Sequence, residues 1–182
     1  PPAVAISKGD DFTKWDLIVI PAKPSLGAIW GESTVIVEGQ RILNIARYGK
    51  KAIALLSVSE DYGRTWTPTA PSNLPMATSK PYAGTLSTGQ RFLVCTTTAD
   101  TGPRRSPLTI AVSKPGESLF SRVFVIRTSV SEQTPGISAS NADFSYPYAV
   151  EHEGQLFIGY THKSHIANEL AVIPVSSLEI KP

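Results

Sequence analysis

The feature that most constrains the fold of this 182-residue chain is a pair of alternating internal repeats. One repeat is an apolar strand that ends in serine and runs into a polar turn. It occurs as "AISKGDDFTKW" (Ala5 to Trp15), "LSVSEDYGRTW" (Leu56 to Trp66) and "AVSKPGESLF" (Ala111 to Phe120). Its serines, Ser7, Ser59 and Ser113, stand 52 and 54 positions apart (59 − 7 and 113 − 59). The other repeat is a Gly-Gln hairpin tip leading into an apolar strand, in "EGQRILNIAR", "TGQRFLVCTT" and "EGQLFIGYTH", with glycines at Gly39, Gly89 and Gly154. Each unit of about 50 residues therefore contains a hairpin and then a serine-box strand, which is the size of a four-stranded propeller blade.

The residues between these landmarks agree with an all-β reading. Runs such as Thr34–Val37, Arg41–Ala46 and Arg122–Ile126 are short and β-branched, 15 prolines and 13 glycines punctuate the chain, and no long segment has helical apolar spacing. Propellers typically have 4–8 blades. The chain is expected to supply about three four-stranded blades, approximately 1–66, 67–120 and 121–182, as one partial β-propeller domain over 1–182. The rest of the ring would come from a longer protein or from another chain.

Several classes are excluded or disfavoured. The net charge is only +2, and Lys50-Lys51 and Arg104-Arg105 are the only adjacent basic pairs, so no phosphate-tracking face is expected and no nucleic-acid partner. No apolar run approaches the roughly 20 residues of a membrane-spanning helix, and no membrane partner is expected. Cys95 is the only cysteine, which rules out an intrachain disulfide but does not decide the compartment. Its neighbours Phe92, Leu93 and Val94 predict a small buried hydrophobe.

The charged stretch "SEDYGRTW" has the pattern Ser-x-Asp-x-Gly-x-Thr-Trp, the Asp-box. Ser59 and Asp61 are expected to cap backbone N–H groups in a turn, Gly63 to take positive φ, and Trp66 to pack into the blade. In the copy at Ser7 the spacing is stretched, and the copy at Ser113 lacks both the aspartate and the tryptophan. A turn device recurs with each blade, whereas a catalytic acid does not. Asp61 is read as structural.

Three other stretches carry the candidate chemistry: "WGESTVIVEGQRILNIARYGKKAIALLSVSEDYGRTW", "GPRRSPLTIAVS" and "SYPYAVEHEGQLFIGYTH". In this order they resemble the C-terminal half of the sialidase (neuraminidase) superfamily, which has six-bladed propellers. The resemblance implies a glutamate at Glu32 that assists a tyrosine nucleophile at Tyr146, with Tyr148 as the alternative tyrosine. It implies substrate-binding arginines at Arg47 and at Arg104 or Arg105. The implied activity is that of an exo-α-sialidase-like glycosidase, which removes terminal sialic acid or a related acidic sugar from a glycan.

The chemistry suits such a set. Guanidinium groups pair with the carboxylate of an acidic sugar through charge-assisted hydrogen bonds. That carboxylate would repel an Asp or Glu nucleophile, and sialidases use tyrosine instead. A free phenol has a pKa near 10 and needs a neighbouring base. The family's third arginine, its aspartate acid/base and its Arg-Ile-Pro motif are not found in this sequence, and the chain alone is expected to be inactive on an aryl sialoside.

His162 stands eight positions after Gly154, as Arg47 stands after Gly39, and is a further candidate for the substrate pocket. His162, His165 and Glu169 form a weak metal-ligand pattern in a loop, and neither a metal nor a cofactor is expected. Trp30 and Tyr82 are candidates to stack on a sugar ring. The expected partners are an acidic glycan and the blades that complete the ring, and the resemblance favours a secreted or periplasmic location. Two alternatives stand beside this reading: a non-catalytic propeller that binds glycans or proteins, and a hydrolase or lyase acting on uronic-acid polysaccharides.

Overall fold

The computed structural model describes residues 2–27, 29–97, 105–129, 143–162 and 167–180. The described residues form thirteen strands and two short 3-10 turns, with no α-helix among them. Strands β1 (Ala3–Ser7) and β2 (Trp15–Val19) make a two-stranded sheet. A four-stranded sheet contains β3 (Ser33–Glu38), β4 (Arg41–Ala46), β5 (Ile53–Ser59) and β6 (Ala70–Pro75). A second has β7 (Tyr82–Thr85), β8 (Arg91–Thr96), β9 (Leu108–Ser113) and β10 (Phe120–Arg127). The last sheet has β11 (Phe144–His152), β12 (Gln155–His162) and β13 (Ala167–Pro174). All are antiparallel meanders in chain order.

The two repeats have fixed places in these sheets. The Gly-Gln tips turn β3 into β4, β7 into β8 and β11 into β12, with Gly39, Gly89 and Gly154 all at positive φ. The serine boxes join β1 to β2, β5 to β6 and β9 to β10. A full sheet therefore has its glycine tip between the first two strands and its box between the last two. The sheet boundaries fall at 33–75 and 82–127, so a division after Trp66 separates β6 from the sheet it closes.

The intact box has the expected chemistry. Ser59 Oγ accepts the N–H of Gly63 at 2.8 Å and donates to Asp61 Oδ1 at 2.9 Å. Asp61 accepts from the Thr65 N–H at 2.8 Å and the Thr65 hydroxyl at 2.6 Å. Those bonds, the Thr65 hydroxyl first, lower the Asp61 pKa to about 2. Gly63 has φ +84, and the buried Trp66 donates its indole N–H to Gly63 O at 2.8 Å. In the stretched copy Asp11 takes the same part: it accepts from Thr13 N–H at 3.1 Å, and Trp15 donates to Phe12 O at 2.9 Å.

The core lies between sheets. Strand β8 is sandwiched: Phe92 and Val94 point into a cluster with Ile110, Phe144, Leu156 and Ile158, while Leu93 and Cys95 point the other way, onto Ile36, Ile45 and Met76. An almost uninterrupted apolar run is what a strand covered on both faces requires. Cys95 is buried as expected, and burial raises its thiol pKa to about 11. The first strands of successive sheets, β3, β7 and β11, pack against one another. Polar links tie the sheets together: Ala83 N–H to Thr34 Oγ1 at 2.9 Å, Glu38 to Arg91 at 2.7 Å, and Ser87 N–H to Glu151 at 2.8 Å. Gln90 is buried and donates to two carbonyls, Ser113 O and Leu178 O, at 3.0 and 3.1 Å.

Candidate functional site

Glu32 immediately precedes β3, and Arg47 follows the end of β4. The hairpin ladder continues through them, with Arg47 N–H bonded to Glu32 O at 2.9 Å. Both side chains are thereby held at the same end of one sheet. Arg47 Nη1 pairs with Glu32 Oε2 at 2.6 Å, and this pair is mostly screened from water.

Tyr146 comes from a different sheet. Strand β11 is irregular between Ser145 and Tyr148: Ser145 pairs with Thr161 and Tyr148 with Gly159. Within this bulge Tyr146 has φ +52, a left-handed conformation that a non-glycine residue rarely takes. Bulges of this kind re-aim side chains and occur often beside active sites. Here the result is a hydrogen bond from the Tyr146 hydroxyl to Glu32 Oε1 at 3.2 Å, across 114 residues of sequence. Glu32 thus has one oxygen on an arginine and the other on a phenol.

The remaining candidates have different surroundings. Tyr148 is exposed and packs against Tyr82, with ring centroids 4.8 Å apart. Burial, and then Tyr148, raise the Tyr82 pKa above its ordinary value. Arg105 forms an isolated bridge with Asp143 at the entry to β11 and an ion pair with it at 3.5 Å; its carbonyl accepts the Phe144 N–H. Arg104 and His165 lie outside the described residues.

His162 is buried within its own sheet, 4.7 Å from the ring of Phe144, and its Nδ1 meets Glu169 at 2.8 Å. Glu169 also accepts from the Tyr160 hydroxyl at 2.9 Å and from Arg127 at 3.1 Å. Burial pushes the Glu169 pKa upward, but the bonds from Tyr160 and His162 and the charge of Arg127 outweigh it and lower the value. Burial and the bond to Glu169 raise Tyr160 to about 12. No cluster of three metal-ligating side chains exists among the described residues.

Sequence reasoning missed Asp143, since an aspartate in a polar loop carries no pattern of its own. It also left Trp30 unresolved. The guanidinium carbon of Arg47 lies 4.7 Å from the Trp30 ring centroid, next to the Glu32 pair, and Trp30 remains half-exposed.

These stacked meanders, the first three with a box at the turn before the last strand, are an arc of a β-propeller of the sialidase type. The chain belongs to the BNR repeat-like domain family, whose model matches residues 3–160. The fold is similar to that of a Hadza microbial sialidase, with TM-score 0.66 and 16% identity over 93% of this chain and 31% of that one. The leech intramolecular trans-sialidase, solved with 2,7-anhydro-Neu5Ac, gives 0.62 and 14% over 93% of this chain and 27% of its own. The intramolecular trans-sialidase of Ruminococcus gnavus, solved with oseltamivir carboxylate, gives 0.61 and 15% over 95% and 38%. The chain thus spans between about a quarter and two-fifths of the length of these neighbours. No curated protein matches it by sequence.

Proposed function

We propose that this chain carries the nucleophile side of a sialidase-type glycosidase site, with Tyr146 as nucleophile, Glu32 as its base and Arg47 as an anchor for the carboxylate of an acidic sugar. The observation that carries the reading is the 3.2 Å hydrogen bond from Tyr146 to Glu32. It joins two sheets through a residue in a strained backbone conformation, a type of strain that clusters at functional sites.

The chemistry runs as follows. Glu32 accepts the phenolic proton as the Tyr146 oxygen attacks the anomeric carbon, and the leaving oxygen takes a proton from an acid on another blade. Arg47 spends one Nη on Glu32, and its buried Nε has no hydrogen-bond partner among the described residues. The Nε is closed off from solvent, and a substrate carboxylate would pair with the part of the guanidinium that remains open, the side chain being 11% exposed. Arg105, beside the entry to β11, is proposed as a second cation facing the sugar, with Tyr148 on the same rim.

Two measurements test the reading. Titration of the chain with N-acetylneuraminic acid should give binding that Arg47→Ala removes. In a complete ring, Tyr146→Phe should cut turnover of an aryl sialoside by about a thousand-fold or more while leaving substrate binding largely intact. Turnover that survives Tyr146→Phe would overturn the nucleophile assignment. A ring that binds acidic glycans with no turnover in its natural form would be a binding module instead. Preferential cleavage of uronate-containing oligosaccharides would replace sialic acid by a uronic acid as the substrate.

A further inference from the structure

Strand β11 breaks step beside Tyr146: Tyr146 and Pro147 together stand opposite Tyr160. Pro147 is buried and takes the inward place, while Tyr146, at φ +52, is turned out to meet Glu32. The corresponding hairpins of the two preceding sheets, β3–β4 and β7–β8, keep an unbroken register. A bulge leaves its extra residue outside the ladder, so other bonds must set the direction in which that residue points.

Two hydroxyls supply such bonds at the last regular pair before the bulge, Ser145 and Thr161. Thr161 Oγ1 donates to Ser145 O at 3.1 Å, on the peptide group that leads into Tyr146. Its single proton is spent there, so the 2.8 Å bond between the two hydroxyls is donated by Ser145. Ser145 is fully buried, out of reach of competing water. The peptide groups one step earlier are held as well: Phe144 N–H bonds to Arg105 O at 2.9 Å, and Phe144 O accepts from Thr96 Oγ1 at 3.4 Å.

We propose that Thr161, backed by Ser145, is a positioning residue that fixes the left-handed turn at Tyr146 and so holds the phenol against Glu32. This inference rests on the reading of Tyr146 as nucleophile and Glu32 as its base. The Ser145 carbonyl and the Tyr146 N–H share one rigid peptide plane. Tethering that carbonyl fixes the plane from which the Tyr146 side chain departs. A tilt of the plane would swing the far end of the side chain off a hydrogen bond that is already 3.2 Å long. The third sheet holds a hydroxyl pair of the same kind in unbroken register: Thr109 Oγ1 donates to Cys95 O at 2.9 Å and meets Thr97 Oγ1 at 2.6 Å. That pair touches no bulge and serves as the control.

The experiment uses the 182-residue chain with 13C-labelled tyrosine rings, the Tyr146 signal being assigned by its loss in Tyr146→Phe. Glu32→Ala removes the acceptor of the phenol and should shift that signal in the natural chain. In Thr161→Val, which keeps the shape of the side chain, adding Glu32→Ala should leave the signal unmoved, because phenol and carboxylate are already apart. Thr161→Ser should restore the response. Ser145→Ala, which leaves Thr161 its bond to the carbonyl, should reduce the response without abolishing it, and Thr109→Val should keep it in full. In a complete ring Thr161→Val should lower kcat about 10- to 100-fold with KM nearly unchanged, and Thr161→Ser should recover most of the loss. A full response to Glu32→Ala in Thr161→Val, or in Ser145→Ala if the valine variant does not fold, would overturn the proposal. An equal loss of response in Thr109→Val would overturn it too, by tracing the effect to a general loosening of the fold. A lost response with undiminished turnover would uphold the positioning of Tyr146 and remove its reading as nucleophile.

Discussion

The three serines that define the repeat make unequal contacts, so replacing each by alanine should produce a ranked series of stability losses. Ser59 is buried, and its Oγ is the acceptor for the buried N–H of Gly63 at 2.8 Å and for Asp61 N–H at 3.3 Å. Ser59→Ala leaves the Gly63 N–H without a partner and removes a donor from Asp61, a cost of roughly 2–3 kcal/mol. Ser113 is also buried but, among the described residues, accepts one backbone donor, Arg91 N–H at 2.9 Å, and donates to Lys114 O at 2.8 Å. Its replacement should cost about 1–2 kcal/mol. Ser7 bonds to Gly9 in a solvent-exposed turn, where water replaces the lost partner, and Ser7→Ala should stay within about 0.5 kcal/mol of the natural chain.

Urea unfolding followed by tryptophan fluorescence measures the series directly. The midpoints should fall in the order Ser7→Ala, Ser113→Ala, Ser59→Ala, with unchanged slopes. In thermal unfolding the Ser59 variant should melt about 4–12 °C lower, given a shift of about 2–4 °C per kcal/mol for a chain of this size. Equal losses at all three positions, or a larger loss at Ser7 than at Ser59, would refute the argument that burial of the capped N–H sets the cost.

Other outcomes follow from groups elsewhere in the fold. The Asp61 pKa is depressed to about 2 from an ordinary 3.8, so its contribution to stability is present above about pH 4 and fades as pH falls through 2. The stability difference between the natural chain and Asp61→Asn should therefore shrink on acidification from pH 5 to 2, as read by urea midpoints. The Cys95 thiol, with its pKa raised to about 11 by burial, should react negligibly with an aromatic disulfide reagent at pH 8 in the folded chain and fully in urea. Gln90→Leu should remove both donors to the Ser113 and Leu178 carbonyls and lower stability by roughly 2 kcal/mol, measured the same way.

The fold was legible because its signals are local. A glycine at a hairpin tip, a Ser-x-Asp turn and a short β-branched strand each state their conformation within a few residues, and their alternation gives the blade. For this reason the sequence alone assigns contacts to Trp66, Ser59, Asp61 and Gly63. The arrangement of the candidate residues was legible only in part. Glu32 and Arg47 are joined by one hairpin, so their meeting follows from the register of β3 and β4. The aim of Tyr146 depends on a bulge and a positive φ that no residue in "SYPYAV" announces, and its contact with Glu32 depends on how separate sheets stack. The parallel between His162 and Arg47 was a matter of spacing alone. Equal distance from a glycine tip gives an equal place in the hairpin, but Glu169 on the next strand draws the imidazole into its own sheet. Among the described residues the length of the Arg47 side chain and the nearness of Trp30 have no counterpart there.

The dependence on stacking has a consequence for how the proposed site works. Glu32 and Arg47 move with the second sheet and Tyr146 with the fourth, while the third sheet separates them along the chain. A misplacement of about 1 Å can cost a hundred-fold in rate, so the sheets must be held to well within that distance. The links available for the task are the packing of β3, β7 and β11, the bond between Ala83 and Thr34, and the carboxylate links Glu38–Arg91 and Glu151–Ser87. The last two lie at hairpin tips, not at the end of β4 where Glu32 and Arg47 meet. Glu151→Ala should therefore remove no group of the proposed site yet loosen the fourth sheet, which carries Tyr146, against the third. In a complete ring the expected signature is a fall in turnover with binding through Arg47 retained, because Tyr146 moves with the freed sheet and Arg47 does not. A Glu151→Ala ring with undiminished turnover would mean that the apolar packing between sheets, centred on Phe92, Phe144 and Ile158, fixes the alignment without help from the rim.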